Sequence, residues 1–544
     1  MNPQIKEIST STFYMLIVIY TALILLTSLN ILSRFTLHFE IFALILAILG
    51  IFAINNPKST INNSRLTNNI NKFNWVSKAS QFFKSQYFHF TLLILAIIFI
   101  LVLRIIPYLN NSIPLGYDTG LYKYGIEHGL QNMDKWILQG GMEPGFLYLM
   151  SFFKLFLSSQ FILTYLFIIF CLFLGLAIYF FTKEYFGDLE AVIAVLIYAV
   201  SIIQFKVFEL MYYKNIMALS LMLFSFYFLK KADKLKFRVL FIAFAVMVGT
   251  IHRPTFYILG LSYFLYAFIS PYKEKKYNFN LLKNNILNGI IILALTSLFY
   301  LGKFMPAITS MFSPVLSSLI NPGESPGTFI SFFSYQFLTL AYLPFAILGF
   351  FVLAKRRQFN ILFFWTLINA VIVYFQLFFF NRFIIHLDIA LIILASVSFA
   401  MLIKEKKKLG IVLLIVLLFS AGIMNLNYSL NSKPLISQTQ LDLIQQLSQT
   451  EQNSWVMSIS SQYSPWLQGY SGRKVIAPGL FDYNLWTEAQ WQEFWTTQDK
   501  NETISLMSVY NKPIYLFIGN KPFNNPCFSI YKEQDNNKIM KYIC

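Results

Sequence analysis

The stretch Pro144-Gly-Phe-Leu-Tyr-Leu-Met-Ser-Phe-Phe-Lys154-Leu-Phe-Leu-Ser-Ser159 decides how the rest of the chain is read. It is apolar, but it is short and Lys154 interrupts it, whereas a helix needs about 20 apolar residues to cross ~30 Å of hydrocarbon. Taken as a span, it puts the basic loops Lys230-Lys231-Ala232-Asp233-Lys234, Lys273-Glu274-Lys275-Lys276, Lys355-Arg356-Arg357 and Lys404 to Lys408 outside the cell. Taken as a helix lying in the membrane interface, it puts all of them inside, together with the 55–85 loop and its Lys58, Arg65, Lys72, Lys78 and Lys84. Short loops rich in Lys and Arg stay on the cytoplasmic side, so the interfacial reading is adopted.

Working outward from that choice, apolar runs near 11–32, 38–54, 86–108, 160–181, 189–205, 214–230, 237–251, 256–270, 284–301, 329–353, 359–380, 384–402 and 409–425 are spans. The expected fold is an all-α polytopic membrane domain of about thirteen helices over 1–426, followed by a small extracytoplasmic α/β domain over 427–544. The N-terminus is expected in the cytoplasm of a plasma or inner membrane. Its first apolar run is long and lacks a small-residue cleavage site, so it reads as an anchor. Composition agrees: 57% of residues are hydrophobic and only 12% charged, against about 25% charged in soluble domains. The net charge of +18 lies in those short loops, which argues against a nucleic-acid partner and for membrane lipids.

In the tail, Trp455 to Ser460 and Pro513 to Ile518 read as buried strands, and Thr487 to Thr497 as a helix. Cys527-Phe-Ser-Ile-Tyr-Lys and Ile539-Met-Lys-Tyr-Ile-Cys544 read as a terminal hairpin. The sequence leaves open whether Cys527 and Cys544 pair there or stay as thiols. Pairing would close a loop worth up to ~3 kcal/mol.

The topology gathers the remaining polar features on the outer face. The loop over 109–159 carries Ile113-Pro-Leu-Gly-Tyr-Asp118-Thr-Gly-Leu-Tyr-Lys-Tyr-Gly-Ile-Glu127-His128, directly after a span. A carboxylate held there suits a general base that takes a proton from a hydroxyl, and it equally suits the N-cap of a helix starting at Thr119. Glu143, before Pro144, is a second acid or the cap of the interfacial helix. Arg104, Lys214, His252, Arg253 and Arg382 are cations at outer helix ends, contrary to the positive-inside bias. Such charges are costly unless paired, and Arg offers a rigid fork matched to phosphate oxygens. Singly, each also fits snorkelling to lipid headgroups. No Asp-x-Asp or similar acidic pair stands in an outer loop, so metal independence is favoured over a divalent-metal cofactor.

With these features in place, the chain resembles the GT-C type of membrane glycosyltransferase, which includes oligosaccharyltransferases, protein mannosyltransferases and lipid aminoarabinose transferases. Local echoes are Gly116-Tyr-Asp118-Thr-Gly, Phe186-Gly-Asp-Leu-Glu-Ala-Val-Ile-Ala-Val-Leu-Ile-Tyr-Ala and Tyr212-Tyr-Lys214-Asn215. In the tail, Ser464-Pro-Trp466-Leu-Gln-Gly469-Tyr470-Ser-Gly-Arg473 occupies a place like the acceptor-recognition segment of oligosaccharyltransferases. It lacks that signature's paired Trp and its Asp, so peptide recognition is not carried across. The resemblance implies transfer of a sugar from a polyprenyl-phosphate-linked donor to a glycan, lipid or protein acceptor, with inversion. Asp118 would act as base, with Glu143 beside it in the catalytic set, and the five cations would hold the donor phosphate. Tyr117, Tyr122, Glu127, His128, Trp466, Tyr470 and Arg473 are the expected acceptor- or substrate-binding residues. Two rival readings are an O-antigen polymerase or ligase type of enzyme and a lipid-linked oligosaccharide flippase or other transporter. The first places its large outer loop late among the spans, and the second calls for ionisable groups at mid-membrane depth. Here the acidic loop comes early, and only Glu40, His386 and Asp388 are candidates for such depth.

Overall fold

The computed structural model describes residues 86–131, 133, 142–273, 276–307, 309, 329–377, 380–478, 481 and 483–544. The expected spans near 11–32 and 38–54, Glu40, the 55–85 loop and most of the 302–328 loop lie outside the described residues. In chain order the helices are α1 (Gln86–Ile105), α2 (Thr119–His128), α3 (Pro144–Lys154) and α4 (Ser159–Tyr185). Then come α5 (Asp188–Val200), α6 (Ile202–Glu209), α7 (Tyr213–Leu229), α8 (Leu235–Ile251), α9 (Arg253–Ile269) and α10 (Phe279–Leu298). They continue with α11 (Phe332–Thr339), α12 (Leu343–Lys355), α13 (Ile361–Tyr374), α14 (Phe380–Glu405) and α15 (Lys407–Asn431). The tail adds α16 (Gln438–Gln446), α17 (Ser464–Tyr470), α18 (Glu488–Thr496) and α19 (Lys500–Met507).

The chain is a multi-pass integral membrane protein. Among the described residues, five helices are long and apolar enough to cross a membrane, or seven if each of two bent pairs is one span. Every span expected within the described residues coincides with a helix or a bent pair. Several of those helices are shorter than a full crossing, so the count of about thirteen is not reached on length and apolarity. α3, the segment that decided the topology, is a helix of 11 residues. That length is well short of the ~20 a crossing requires.

The described residues divide into two compact units, one within 86–107, 168–208 and 212–431, the other within 108–167, 209–211 and 432–544. In the first unit α14 is the axis: its apolar window is wholly enclosed, and α5, α12, α13 and α15 pack around it. Phe345 stacks on Phe399 at 4.1 Å, and a Cβ on Gly349 would run into the Leu394 carbonyl, so α12 and α14 touch backbone to backbone. A fully enclosed helix can carry polar groups that lipid would penalise, and α14 carries Asn381, His386 and Asp388, all buried.

Both bent pairs break where a polar side chain reaches Asp388. α5 and α6 meet at 54° across Ser201, and α11 and α12 meet at 82° across residues 340–342. A break within apolar surroundings frees backbone groups that need partners. Ser201 Oγ accepts the Gln204 N–H at 3.2 Å, and Asn425 Nδ2 donates to the Ala199 and Ser201 carbonyls, each at 3.4 Å. Ser201 Oγ then donates to Asp388 Oδ2 at 3.1 Å, and Gln204 Nε2 donates to the same oxygen at 2.7 Å. From the second break, the Tyr342 hydroxyl donates to Asp388 Oδ1.

The second unit joins the outer loop to the tail. Its sheet runs β4-β3-β5-β7-β6, after a minor ladder β1 (Tyr272–Lys273) and β2 (Lys276–Tyr277) that belongs to the first unit. β3 (Trp455–Ser458) is parallel to β4 (Lys474–Ile476) and to β5 (Ile514–Gly519). β7 (Asn537–Tyr542) is antiparallel to both β5 and β6 (Phe528–Gln534). The expected buried strands, the Thr487-capped helix and the terminal hairpin are all present, and Cys527 and Cys544 are joined in a disulfide with Cα atoms 5.1 Å apart. Residues of β3 and β5 alternate between two cores. Val456, Tyr515 and Phe517 face one core with α16 and α17, while Met457, Leu516 and Ile518 face the other with α18 and α19. Ile113, from the outer loop, is enclosed in the first of these cores.

Loop helix α2 crosses tail helix α17 at two glycines. A Cβ on Gly120 would strike the Pro465 carbonyl, and one on Gly469 would strike the Gly120 carbonyl. Neither neighbour is a side-chain tip that can turn away, so the crossing admits no side chain. Gly120→Val and Gly469→Val are each expected to destabilise this unit by at least ~1–3 kcal/mol. Limited proteolysis of the full-length protein should show 108–167 and 432–544 cut together and faster, and unchanged digestion would refute the crossing.

Candidate active site

The first unit concentrates cations where helices begin. α8 ends and α9 starts at His252, whose extended backbone (φ −153°) turns the chain back. Its ring caps α9, with Nδ1 accepting the Thr255 N–H at 3.4 Å and lying 2.8 Å from Thr255 Oγ1. Pro254 fits the first turn because no intrahelical partner is needed for an N–H there. Arg253 is buried, and its Nη1 donates to the Ala307 carbonyl at 2.9 Å. Lys214 lies buried in the first turn of α7, and Arg382 lies half-buried in the first turn of α14 over the Phe329 ring at 5.3 Å. Lys214, Arg253 and Arg382 all stand close enough for their charges to act on the His252 ring. Four of the five predicted phosphate-binding residues therefore share one neighbourhood.

Arg104 is placed apart from that group, in a different set of contacts. Its guanidinium lies 5.5 Å from the Tyr198 ring centroid and 5.8 Å from that of Phe208, and it donates to the Ile100 and Gln204 carbonyls at 3.4 and 3.5 Å. It is fully buried, and its Nε has no hydrogen-bond partner. Through Gln204 it touches the residue that also binds Asp388.

An apolar cavity of about 710 Å³ lies between α9 and α10, with Phe256, Leu261, Phe264, Ile290 and Leu293 in its wall. Pro254, next after Arg253, and Phe383, next after Arg382, line it too. A chain of apolar groups in this cavity would lead directly to the helix starts that carry those cations.

In the second unit Asp118 precedes α2, and its carboxylate makes no capping bond to that helix. Thr119, the first residue of α2, donates its hydroxyl to the Leu115 carbonyl. Asp118 is half-buried, and so is Tyr117, whose phenol is pushed up to about 12 by burial first and by the Asp118 charge second. Tyr117 therefore stays a hydrogen-bond donor through the neutral range. The turn before it needs Gly116, at φ +82°, where a Cβ would meet the Met211 side chain. Glu143 sits at the start of α3, buried and likewise without a capping bond to that helix.

The remaining predicted residues are placed as follows. Glu127 accepts from Lys123 at 2.6 Å and from Ser159 at 2.9 Å, and Lys123 also reaches the Gly469 carbonyl and the Tyr470 ring. Tyr122 is buried against Phe146, and His128 lies against Tyr124. Trp466 is fully enclosed in the sheet's core and stacks on Tyr470 at 5.6 Å. Arg473 donates to the Ser448 and Thr450 carbonyls, both at 2.5 Å.

Sequence reasoning gave no role to Ser201, Gln204, Thr255 or Tyr342, and treated His386 and Asp388 only as marks of a transporter. The signal for the last two was available, since ionisable residues in an apolar run are functional candidates by default. Among the described residues, no group of three His, Cys, Asp or Glu side chains is arranged as a metal-ligand set.

Residues 143–300 match the dolichyl-phosphate-mannose-protein mannosyltransferase family. No curated protein matches the chain in sequence. Among solved structures, the chain is similar to the archaeal oligosaccharyltransferase AglB from Archaeoglobus fulgidus in complex with an inhibitory peptide and a dolichol-phosphate. The TM-score is 0.57 at 13% identity, over 80% of this chain and 70% of that one. It is also similar to ArnT from Cupriavidus metallidurans in the apo state, with a TM-score of 0.54 at 11% identity over 84% of this chain and 97% of ArnT. ArnT bound to undecaprenyl phosphate gives 0.53 at 12% identity over the same shares. The resemblance to GT-C membrane glycosyltransferases thus holds for the fold.

Removing the Asp388 carboxyl leaves the Ser201 and Tyr342 hydroxyls and the Gln204 amide without their acceptor, at about 1–3 kcal/mol for each buried orphan. Asp388→Ala is expected to lower the thermal midpoint of the detergent-solubilised protein by far more than Asp388→Asn. The amide keeps one acceptor, and its NH₂ can donate to the Tyr342 oxygen. Equal midpoints for the two variants would sink this account of the helix breaks.

Proposed function

We propose that the protein is a glycosyltransferase that takes a sugar from a polyprenyl-phosphate-linked donor and transfers it to an acceptor at the extracytoplasmic membrane face. The observation that carries the proposal is the meeting of Lys214, His252, Arg253 and Arg382 beside an apolar cavity whose wall continues from the same helix starts. A polyprenyl phosphate has this combination of parts, a long apolar chain ending in an anion. The fold adds support, because similar structures carry a dolichol-phosphate in AglB and undecaprenyl phosphate in ArnT.

On this reading the tail of the donor occupies the cavity and its phosphate meets the cations. The start of α9 contributes the positive end of the helix dipole. Asp118 takes the proton of the acceptor hydroxyl as that oxygen attacks the anomeric carbon, and the bond to phosphate breaks. The cations stabilise the negative charge that grows on the leaving phosphate, which is the charge that differs between ground and transition states. A single displacement of this kind inverts the anomeric centre. Glu143 is the second carboxylate of the proposal, and Tyr117, Tyr122, Glu127, His128, Tyr470, Trp466 and Arg473 belong to the acceptor side, directly or by shaping the loop. The acceptor is a glycan, lipid or protein, and no metal takes part.

The two broken helices do not favour the transporter reading. The carbonyls freed at Ser201 are taken by Asn425, and the hydroxyls at both breaks are taken by Asp388, so the breaks hold protein groups rather than an open ion path.

Two substitutions separate the roles. Asp118→Asn should lower the rate of transfer in proteoliposomes by about 10²–10⁴-fold with donor affinity little changed. Arg253→Ala should raise KM for the lipid-linked sugar by at least about tenfold. Full transfer activity in Asp118→Asn would remove the base, and an unchanged KM in Arg253→Ala would remove the phosphate site.

A further inference from the structure

We infer that Thr255 and His386 are positioning residues that fix His252 in one tautomer, with its proton on Nε2, so that the ring enters the cation cluster as a hydrogen-bond donor. The chain of bonds leaves no alternative order. His252 Nδ1 accepts the backbone N–H of Thr255, and an N–H can only donate, so Nδ1 carries a lone pair. The Thr255 hydroxyl, 2.8 Å from the same Nδ1, must then donate to it as well. A hydroxyl has one proton, so Thr255 Oγ1 meets His386 Nε2, 3.1 Å away, as an acceptor. His386 therefore carries its proton on Nε2. Its Nδ1 is bare, which agrees with that atom being buried without a partner.

The consequence lies at the other end of the relay. With Nδ1 occupied twice as an acceptor, the neutral ring of His252 keeps its one N–H at Nε2. Among the described residues nothing bonds to that Nε2, and it is not one of the buried atoms lacking a partner. The ring is otherwise enclosed, with the residue 4% exposed. His386 is held in turn, buried on α14 with Trp365 edge-on at 6.2 Å and Phe383 at 6.1 Å. The relay thus runs from the central helix of the bundle, through α9, to the one neutral member of a cluster otherwise made of Lys214, Arg253 and Arg382. A neutral donor adds a directed hydrogen bond to an anion without adding a further positive charge. The inference rests on the proposed phosphate role of the cluster and goes beyond it by naming what orients His252.

The test uses the full-length protein in lipid nanodiscs, isotope-labelled at histidine nitrogens. The signals of His252 and His386 are assigned by comparison with His252→Gln and His386→Gln. Both rings are expected to be neutral with the proton on Nε2, and a proton on Nδ1 of His252, alone or in addition, overturns the inference. A second arm measures undecaprenyl phosphate binding. Thr255→Val and His386→Phe should weaken it by about tenfold, whereas His386→Gln, whose amide N–H replaces the imidazole donor, should stay within about threefold. Equal losses in His386→Gln and His386→Phe overturn the positioning role. If the tautomers are as stated but His252→Ala and Lys214→Ala bind undecaprenyl phosphate as the unaltered protein does, the phosphate reading has failed and the donor role falls with it. The relay would then remain as a feature of helix packing alone.

Discussion

A single carboxyl group takes hydrogen bonds from both bent helix pairs of the membrane unit. Asp388 sits on the one helix that protein surrounds completely, and it receives donors from both places where a helix breaks. Breaking a helix in apolar surroundings strands carbonyls and amides, and each stranded group costs more there than in water. The cost is offset at Ser201 by Asn425 and by Ser201 itself, and the hydroxyls recruited at the two breaks then end on the same carboxyl. Gln204 carries the connection further, because its carbonyl is one of the few acceptors available to the buried guanidinium of Arg104. The bent geometry of α5–α6 and of α11–α12 is therefore one linked arrangement rather than two local accidents.

The same helix organises charge. Within two turns toward its start from Asp388 stand His386 and then Arg382, and these face a different set of neighbours: Thr255 and His252 at the start of α9, and the cations around them. α14 thus separates an anionic function, satisfied entirely by neutral donors, from a cationic cluster. The acid is kept among hydroxyls and an amide.

Much of this architecture is legible in the sequence, and the exceptions have physical reasons. Helix positions were readable because apolar length alone marks them, and the tail strands because Trp455 to Ser458 and Ile514 to Gly519 are buried on both faces and so run as unbroken apolar segments. α3 was readable as too short to cross. Pro344, in the first turn of α12, was a signal for the second break. The break at Ser201 was not readable, because it interrupts an apolar run without a glycine or proline, and a serine within a helix usually bonds its own preceding turn. Nor could spacing show that Arg104 belongs with Tyr198 and Phe208 while the other cations gather at His252, since all five share one sequence signature, a cation at a helix end. Nor could the sequence show that Gly469 belongs to a tight helix crossing, since its partner Gly120 lies far away in the chain. Thr255 carried no signal at all, because its role exists only once α9 and α14 are adjacent.

The outer loop and the tail, finally, cannot be treated as a catalytic loop and an appended domain. One compact unit takes residues 108–167 and 432–544 together with the short piece 209–211. Ile113 fills the sheet's core, Lys123 ties Glu127 to the Gly469 carbonyl, and α2 passes α17 where neither tolerates a Cβ. Asp118 opens α2, so the position of the proposed base is set by a helix that the tail clamps rather than by the loop's own conformation. Gly116 completes the constraint, since its positive φ and its contact with Met211 bring the third piece of chain against the same turn. A carboxylate on a free loop would sample many positions, and holding a base to the fraction of an ångström that proton transfer rewards demands a rigid support. The sheet domain supplies that support, which gives the tail a reason to be folded with the loop whatever acceptor it meets.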